Sequence, residues 1–502
     1  MIKNVGSNWL VTLVSVAALY LLTPFTLHTL GAAGYGTWIL ITSVTGYLGL
    51  LVLGVPMASV RYFAQHVAKG DVHQLNKAIG SCTALYLLLG GIAFVVGLGL
   101  YAFFAVTYDI PASLHADAGW AFAITVLFVA VGFVGLLPNG VLAAHEDFVP
   151  RNVIRLWGVL LRLGLTLGLL TLRASLTVLA LVQLACLVFD FALCWLLIRR
   201  RYPETRVRLG DFDWAMVRRI FSFSLYVLVL NAGARLSFET DALVIGAFQD
   251  VSSIPYFTVA NSFLIYLMEF IIAIAAVVMP TATRLQTQGR TAELREIFLK
   301  WSKIALSLTL AAGLFLIVLG PRFIAWWIDP TFERPAGQVL QILMVSYLIF
   351  LPVRGVALPI LMGLGKPGLP TIGFLVAGVL NLGLSILLVR PLGLAGVALG
   401  TAIPNVLFAA LVVWQACREL ETPVAEYLRY VVPRAALGAL PVLGLLLWCK
   451  LGLEVRSLGG LAGAGVAMVV LFGLTWVFFV YRNDRYIDLR ARLPLLRAWS
   501  RA

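Results

Sequence analysis

LYVLVLNAGARLSFETDALVIGAF, residues 225–248, decides the class of fold, because it is apolar enough to cross a bilayer yet carries Arg235, Glu239 and Asp241. At ~1.5 Å per residue the stretch covers the ~30 Å hydrocarbon core and sets Arg235 near its midplane. A charge at that depth costs about 2.5 kcal/mol or more, so it must face other helices or water. In one continuous helix Asn231, Arg235 and Glu239 follow at i, i+4 and i+8 and share a face, on which Arg235 and Glu239 can neutralise each other. Two readings stay open. Either the face walls a polar cavity, where an anionic ligand competes with Glu239 for the guanidinium, or the pair is a self-satisfied strut between helices.

The rest of the chain has the same character. Of its 502 residues 61% are hydrophobic and 12% charged, with a mean hydropathy of +0.97, which is the composition of an integral membrane protein. The net charge of +14 does not point to nucleic acid, since the basic residues sit at the ends of apolar segments instead of alternating with aromatics on a soluble domain. The first apolar run, from about Trp9 past Leu22, has no Ala-x-Ala-like cleavage site and is expected to be the first spanning helix. Cys82, Cys186, Cys194, Cys417 and Cys449 all fall in apolar runs without metal-ligand spacing.

Apolar windows predict an all-α, polytopic protein of about 14 transmembrane helices, near 8–29, 36–60, 79–106, 118–143, 153–172, 176–198, 222–247, 255–282, 300–320, 336–362, 371–389, 394–416, 431–451 and 459–481. With the amino terminus inside, 28 of the 37 basic residues fall in inner segments and 6 in outer ones, while Arg162, Arg235 and Arg354 lie within spans. That bias orients the chain with both termini cytoplasmic in the cytoplasmic (inner) membrane. The longest polar link, residues 199–214, reads as a hinge between halves. The expected organisation is an N-terminal six-helix lobe (1–203), a cytoplasmic linker (204–221), a C-terminal six-helix lobe (222–422), two additional helices (423–482) and a basic cytoplasmic tail (483–502). Met57 and Arg61 against Met279 and Arg284, and Pro138-Asn139-Gly140-Val141 against Pro352-Val353-Arg354-Gly355-Val356, are traces of a parallel repeat, a transporter architecture.

Short outer loops leave no room for a catalytic domain, and no nucleotide-binding, metalloprotease or serine-hydrolase motif is present, so neither an enzyme nor a metal site is expected. Polar side chains inside spans remain: Asn8, Thr12, Ser15, Thr23 and Thr26 in the first, Asn261 and Glu269 in the eighth, Arg354 beside Pro352 in the tenth, Asn381 and Ser385 in the eleventh. The neutral ones read first as interhelical hydrogen-bond glue. Glu269 has apolar neighbours and no basic residue within a turn; it is the candidate for proton or sodium coupling, with no cofactor implied. Asp190 and Arg162 are ambiguous. Arg61 and Arg284 end their spans at the inner face, as phosphate-snorkelling residues or as substrate-entry candidates.

The amino-terminal motifs Leu30-Gly31, Gly34-Tyr35-Gly36-Thr37-Trp38, Gly46-Tyr47-Leu48-Gly49-Leu50, Leu53-Gly54-Val55, Arg61-Tyr62 and Lys69-Gly70-Asp71 resemble the start of polysaccharide biosynthesis proteins. These are lipid-linked oligosaccharide flippases of the multidrug/oligosaccharidyl-lipid/polysaccharide (MOP) superfamily. Thr240-Asp241 with Val244-Ile245-Gly246 and Tyr256 is similar to the family's seventh helix, and Gly363-Leu364-Gly365-Lys366-Pro367 to its tenth-helix exit. Val52 stands where members often carry an acid, so a coupling or gating role for that acid does not transfer. The resemblance implies two lobes rocking around a central cationic cavity, and a polyprenyl-diphosphate-linked glycan as substrate. Arg235, Arg354, Glu239, Asp241 and Asn231 are then the substrate-binding candidates. Membrane lipids and glycan-synthesis machinery are the further partners, and nucleic acid is not one. A cation antiporter of the same superfamily, using Glu239, Asp241 and Glu269, and a non-transporting scaffold are the alternatives. An excess of arginine over acid in the cavity favours the flippase.

Overall fold

A computed structural model of the chain describes residues 2–52, 54–218, 233, 235–236 and 239–487, the side chains of residues 2–6, 8, 9 and 276 excepted. Asn231 and the tail beyond residue 487 lie outside the described residues. The described residues are almost all helical, with no strand among them, and 11 helices are long and apolar enough to cross a membrane. Two of these, Leu10–Val52 and Gly368–Glu419, each take in two of the predicted spans. Leu88, Val95, Trp157, Leu387 and Val466 are among many large apolar side chains left exposed, as lipid-facing surfaces require. The protein is a multi-pass membrane protein.

The chain forms two compact units, residues 1–235 with 245–255, and residues 236–244 with 256–502. The first contains α1 (Ile2–Gly46), α2 (Val55–Lys69), α3 (Val72–Thr107), α4 (His115–Ala144), α5 (Phe148–Leu172) and α6 (Leu176–Arg201). Within it α4 packs on α3 and α6, and α1 on α5. α1 is broken at Gly31, whose φ of 71° lies in the left-handed region that only glycine adopts without strain. The second predicted span is also interrupted, by a 3-10 turn at Tyr47–Val52 in a run carrying Gly46, Gly49, Gly54 and Pro56. α2 then continues to Lys69, with Arg61 in mid-helix.

The polar link after α6 is not a free hinge. Asn76 on α3 donates to the Glu204 carbonyl at 3.0 Å and accepts from the Arg206 amide at 2.9 Å, and the Asp213 amide donates to Ser81 Oγ at 2.9 Å. A chain whose backbone groups are satisfied by a helix is a strap on that helix.

α7 (Asp241–Phe248) starts inside the predicted seventh span. Gly233, Arg235 and Leu236 are helical, Glu239 and Thr240 form a turn and bend, and a new helix begins at Asp241. The Val244 amide bonds the Thr240 carbonyl at 3.0 Å, which makes Thr240 the cap of α7. The single continuous helix expected through Asn231, Arg235 and Glu239 is therefore corrected: Glu239 sits at the break. Thr and Asp side chains offer the backbone alternatives to helical bonding, and here both are tied to a neighbouring helix.

The second unit continues with α8 (Ile254–Ile272), α9 (Ala275–Thr287), α10 (Thr291–Val318), α11 (Gly320–Trp327) and α12 (Pro335–Pro352). A π-helical turn, Val353–Ala357, leads into α13 (Leu358–Gly363). The Leu358 amide reaches back five residues to the Val353 carbonyl, while Pro359 has no amide to offer and its ring crowds the preceding turn. This bulge carries Arg354. α14 (Gly368–Glu419) breaks at Gly393, with φ of 58°, and its two arms pack closely. A Cβ on Gly400 would lie 2.3 Å from Ser385 Oγ, so only glycine admits that approach. α15 (Val424–Leu451) and α16 (Leu458–Thr475) pack on the end of α10 through Val318, Leu319, Val442, Leu446, Leu461 and Met468.

Lys303 corrects the charge reading made from the sequence. One of the 28 basic residues assigned to inner segments, it has a side chain that is 1% exposed and pairs at 2.5 Å with Asp484, equally buried. Lys303 Nζ also donates to the Val480 carbonyl and lies over the Tyr430 and Tyr481 rings, and Tyr430 donates to Asp484 at 2.6 Å. The cluster ties the exit of the last span to α10 and α15.

Candidate functional site

The helix start at Asp241 is the centre of a buried polar network in the second unit. Asp241 is 4% exposed, and its two carboxylate oxygens lie 3.0 and 3.2 Å from the Thr401 hydroxyl that donates to them. Thr401 in turn accepts from Asn381 Nδ2 at 2.9 Å, and Asn381 Oδ1 accepts from the Thr240 hydroxyl at 3.3 Å. Each donor points toward the carboxylate, an order in which neighbouring bonds polarise one another favourably. The Gly400 contact described above sets Thr401 beside Asn381. Asn405, one turn past Thr401, is buried with its Nδ2 unbonded.

Arg354 is related to the network through Tyr347. Tyr347, fully buried on α12, interacts electrostatically with both Asp241 and Arg354. The Arg354 guanidinium lies over the rings of Phe374 at 5.3 Å and Phe350 at 5.9 Å, and its Nε has no hydrogen-bond partner. Among the described residues no carboxylate pairs with it. A guanidinium held on aromatic faces keeps its donors available for a planar oxyanion.

The first unit has its own polar cavity, of about 270 Å³, between α1, α5 and α6. Thr23, Thr26, Tyr35, Thr42, Thr166, Arg162 and Gln183 line it with polar side chains, and among the described residues Arg162 is the one charged residue in its wall. Thr23 donates to the Leu19 carbonyl and Thr42 to that of Ile39, so their oxygens are left as acceptors, and Gln183 Oε1 is buried without a partner. Thr23, read from the sequence as interhelical glue, donates within its own helix. Asn381 and Thr401 do join the two arms of α14, and Asn152 reaches Ser7. Arg235, half-buried, packs on the 3-10 turn: its Nη2 would be 3.3 Å from a Cβ on Gly49, and Tyr47 donates to its carbonyl at 3.5 Å.

The remaining candidates are dispersed. Glu239 is exposed at the turn before α7, and Glu269 is exposed on α8, one turn from Tyr266, with which it interacts electrostatically. Arg61 and Arg284 are exposed, Arg284 in the last turn of α9. Asp190 faces Asn139, Arg151 and Arg155. Sequence reasoning missed Thr401, Asn405 and Tyr347. The i, i+4 polar pair Thr401 and Asn405 in an apolar run was the available signal, matching Asn381 and Ser385 one arm earlier.

The fold is that of MOP superfamily transporters. The chain is similar to the lipid II flippase MurJ in an inward closed conformation, with a TM-score of 0.74, 12% identity, and coverage of 95% of this chain and 98% of that one. It is also similar to a multidrug resistance MATE family transporter of the superfamily in its inward-facing conformation, at 0.68 and 17%, covering 80% and 94%. The chain belongs to the polysaccharide biosynthesis protein family, whose model matches residues 1–286. Its relatives include the uncharacterized membrane protein EpsK of Bacillus subtilis, 23% identical over 81% of each chain. Another is a putative O-antigen transporter of Shigella flexneri, 20% identical over 80% of this chain and 93% of the relative.

Proposed function

We propose that the protein is a flippase that turns a polyprenyl-diphosphate-linked oligosaccharide from the inner to the outer leaflet of the cytoplasmic membrane, by alternating access, for cell-surface polysaccharide synthesis. The observation that carries this reading is the excess of arginine over acid at the intramembrane polar sites. Among the described residues Arg162 is the one charge in the first unit's cavity and Arg354 has no carboxylate partner, while the buried carboxylate of Asp241 is already hydrogen-bonded by Thr401. Guanidinium groups bind diphosphate bidentately, and threonine, tyrosine and glutamine around Arg162 suit sugar hydroxyls. The relatives named as an O-antigen transporter and a lipid II flippase support the same substrate class. Asp241 favours the second reading, cation antiport, in which its carboxylate exchanges a proton or sodium for the transported cation.

The test uses vesicles containing the purified protein and a fluorescent polyprenyl-diphosphate disaccharide, with quenching of the label that has crossed. Arg162→Ala or Arg235→Ala should lower flipping roughly 10-fold or more at unchanged protein content, the equivalent of one lost charge-assisted bond of about 1.5–3 kcal/mol. Unchanged flipping in both variants, or uptake of a cationic dye in its place, would reject the flippase.

A further inference from the structure

We propose that the first unit holds an anionic glycerophospholipid of the inner leaflet, its acyl chain between α3, α4 and α6 and its phosphate among Arg199, Arg206 and Arg208. Two cavities meet there, sharing Val134 and Phe191. The one within the membrane, about 470 Å³, has an entirely apolar wall that includes Leu87, Phe94, Leu127, Val131 and Leu187. Gly91 leaves it open, since a Cβ there would meet nothing within 4 Å, while Gly90 lets α3 approach the Ala130 backbone of α4. The other, about 640 Å³, lies where α6 passes into the strap and is lined by Trp195, Thr205 and the three arginines, with no acid among the described residues.

Three observations give the basic cavity a ligand of that charge. Arg199, Arg206 and Arg208 make no ion pair among the described residues, although Arg201 between them pairs with Asp147. Thr205 is 5% exposed, and its buried hydroxyl, in the cavity wall, has no hydrogen-bond partner. The strap is fixed to α3 through Asn76 and Ser81, so the backbone bearing Arg206 and Arg208 is positioned in advance. Arg199 lies over the Trp195 ring at 5.9 Å, which sets its charge at the boundary between the apolar and basic parts.

Dimensions select the occupant. From Thr83 in the basic cavity to Phe94 at the far end of the apolar one, α3 advances eleven residues, or about 16 Å, which is one leaflet of a ~30 Å core. An acyl chain fills that length, whereas a polyprenyl tail is far longer. Basic pockets between helices at the cytoplasmic face are the usual docking place for anionic headgroups. The proposal depends on the membrane fold alone and stands or falls apart from the flippase reading.

Native mass spectrometry of the full chain, with phosphatidylglycerol and phosphatidylcholine of identical acyl composition, tests it. The wild type should retain phosphatidylglycerol in preference. Arg206→Gln/Arg208→Gln should lower that retention roughly 30-fold, at about fivefold per arginine, while phosphatidylcholine stays as it was. Both arginines are exposed and make no side-chain bond among the described residues, so folding is not at stake. Gly91→Leu should fill the apolar part and reduce retention of both lipids. Equal retention of the two lipids by the wild type, or no change in the double variant, overturns the proposal. So does loss of a polyprenyl-diphosphate probe with phosphatidylglycerol unaffected, which would assign the groove to the transported lipid.

Discussion

Replacing Arg354 by methionine should make the protein more stable and less active. Arg354 lies nine residues before Gly363, where α13 ends, and at ~1.5 Å per residue this is about 14 Å, close to the middle of a ~30 Å core. An arginine at that depth costs about 2.5–3.5 kcal/mol on the insertion scale. The ring contacts with Phe374 and Phe350 return about 0.5–1 kcal/mol each, and no ion pair or bond from Nε adds to them. Methionine keeps most of the volume and carries no charge, so the variant should gain about 0.5–2.5 kcal/mol. Thermal unfolding of the purified protein in detergent should show a raised midpoint, and flipping in vesicles should fall at least roughly tenfold, as for loss of a charge-assisted bond. A lowered midpoint with flipping per folded molecule unchanged would refute the reasoning and make Arg354 a structural strut.

Asp484→Asn should cost about 3–5 kcal/mol of stability, because it leaves the Lys303 ammonium buried without its counter-charge. Burial by itself would raise the Asp484 carboxyl, but hydrogen bonds from Lys303, Tyr430 and the Tyr486 amide, with the Lys303 charge, hold it below the ordinary 3.8. A depressed carboxyl stabilises fully above its unfolded value and loses that contribution as pH falls; the wild type should therefore weaken below about pH 4, and unfolding midpoints against pH should show the Asn variant lacking this step. Thr401→Val should cost about 2–5 kcal/mol, by stripping Asp241 of its donor and Asn381 of its acceptor, while Thr401→Ser restores most of it; equal midpoints for the two would remove the relay. Glu269→Gln should flatten the pH dependence of transport in vesicles with an imposed proton gradient, and an unaltered profile would take Glu269 out of ion coupling.

Class and outline were legible in the chain because the bilayer imposes them. A run of apolar residues long enough to span must be helical, since no water is present to satisfy its backbone, and this holds whatever packs beside it. The exposed apolar faces, the helical runs and the arginines inside spans follow from that constraint. The partners of those arginines do not. Lys303 looked like a surface cation because nothing local marks that Asp484, nearly two hundred residues later, returns to cover it. Asn381 looked like generic glue until the Gly393 break and the Gly400 contact brought Thr401 against it. Arg235 and Glu239 looked like one face of one helix until the side chains of Thr240 and Asp241, bonded to α14, started a new helix and left Glu239 in the turn before it. Hydropathy is a sum over neighbours in sequence, whereas a buried charge is decided by neighbours in space. The long-range pairing that sets those contacts was determined by the tertiary structure alone.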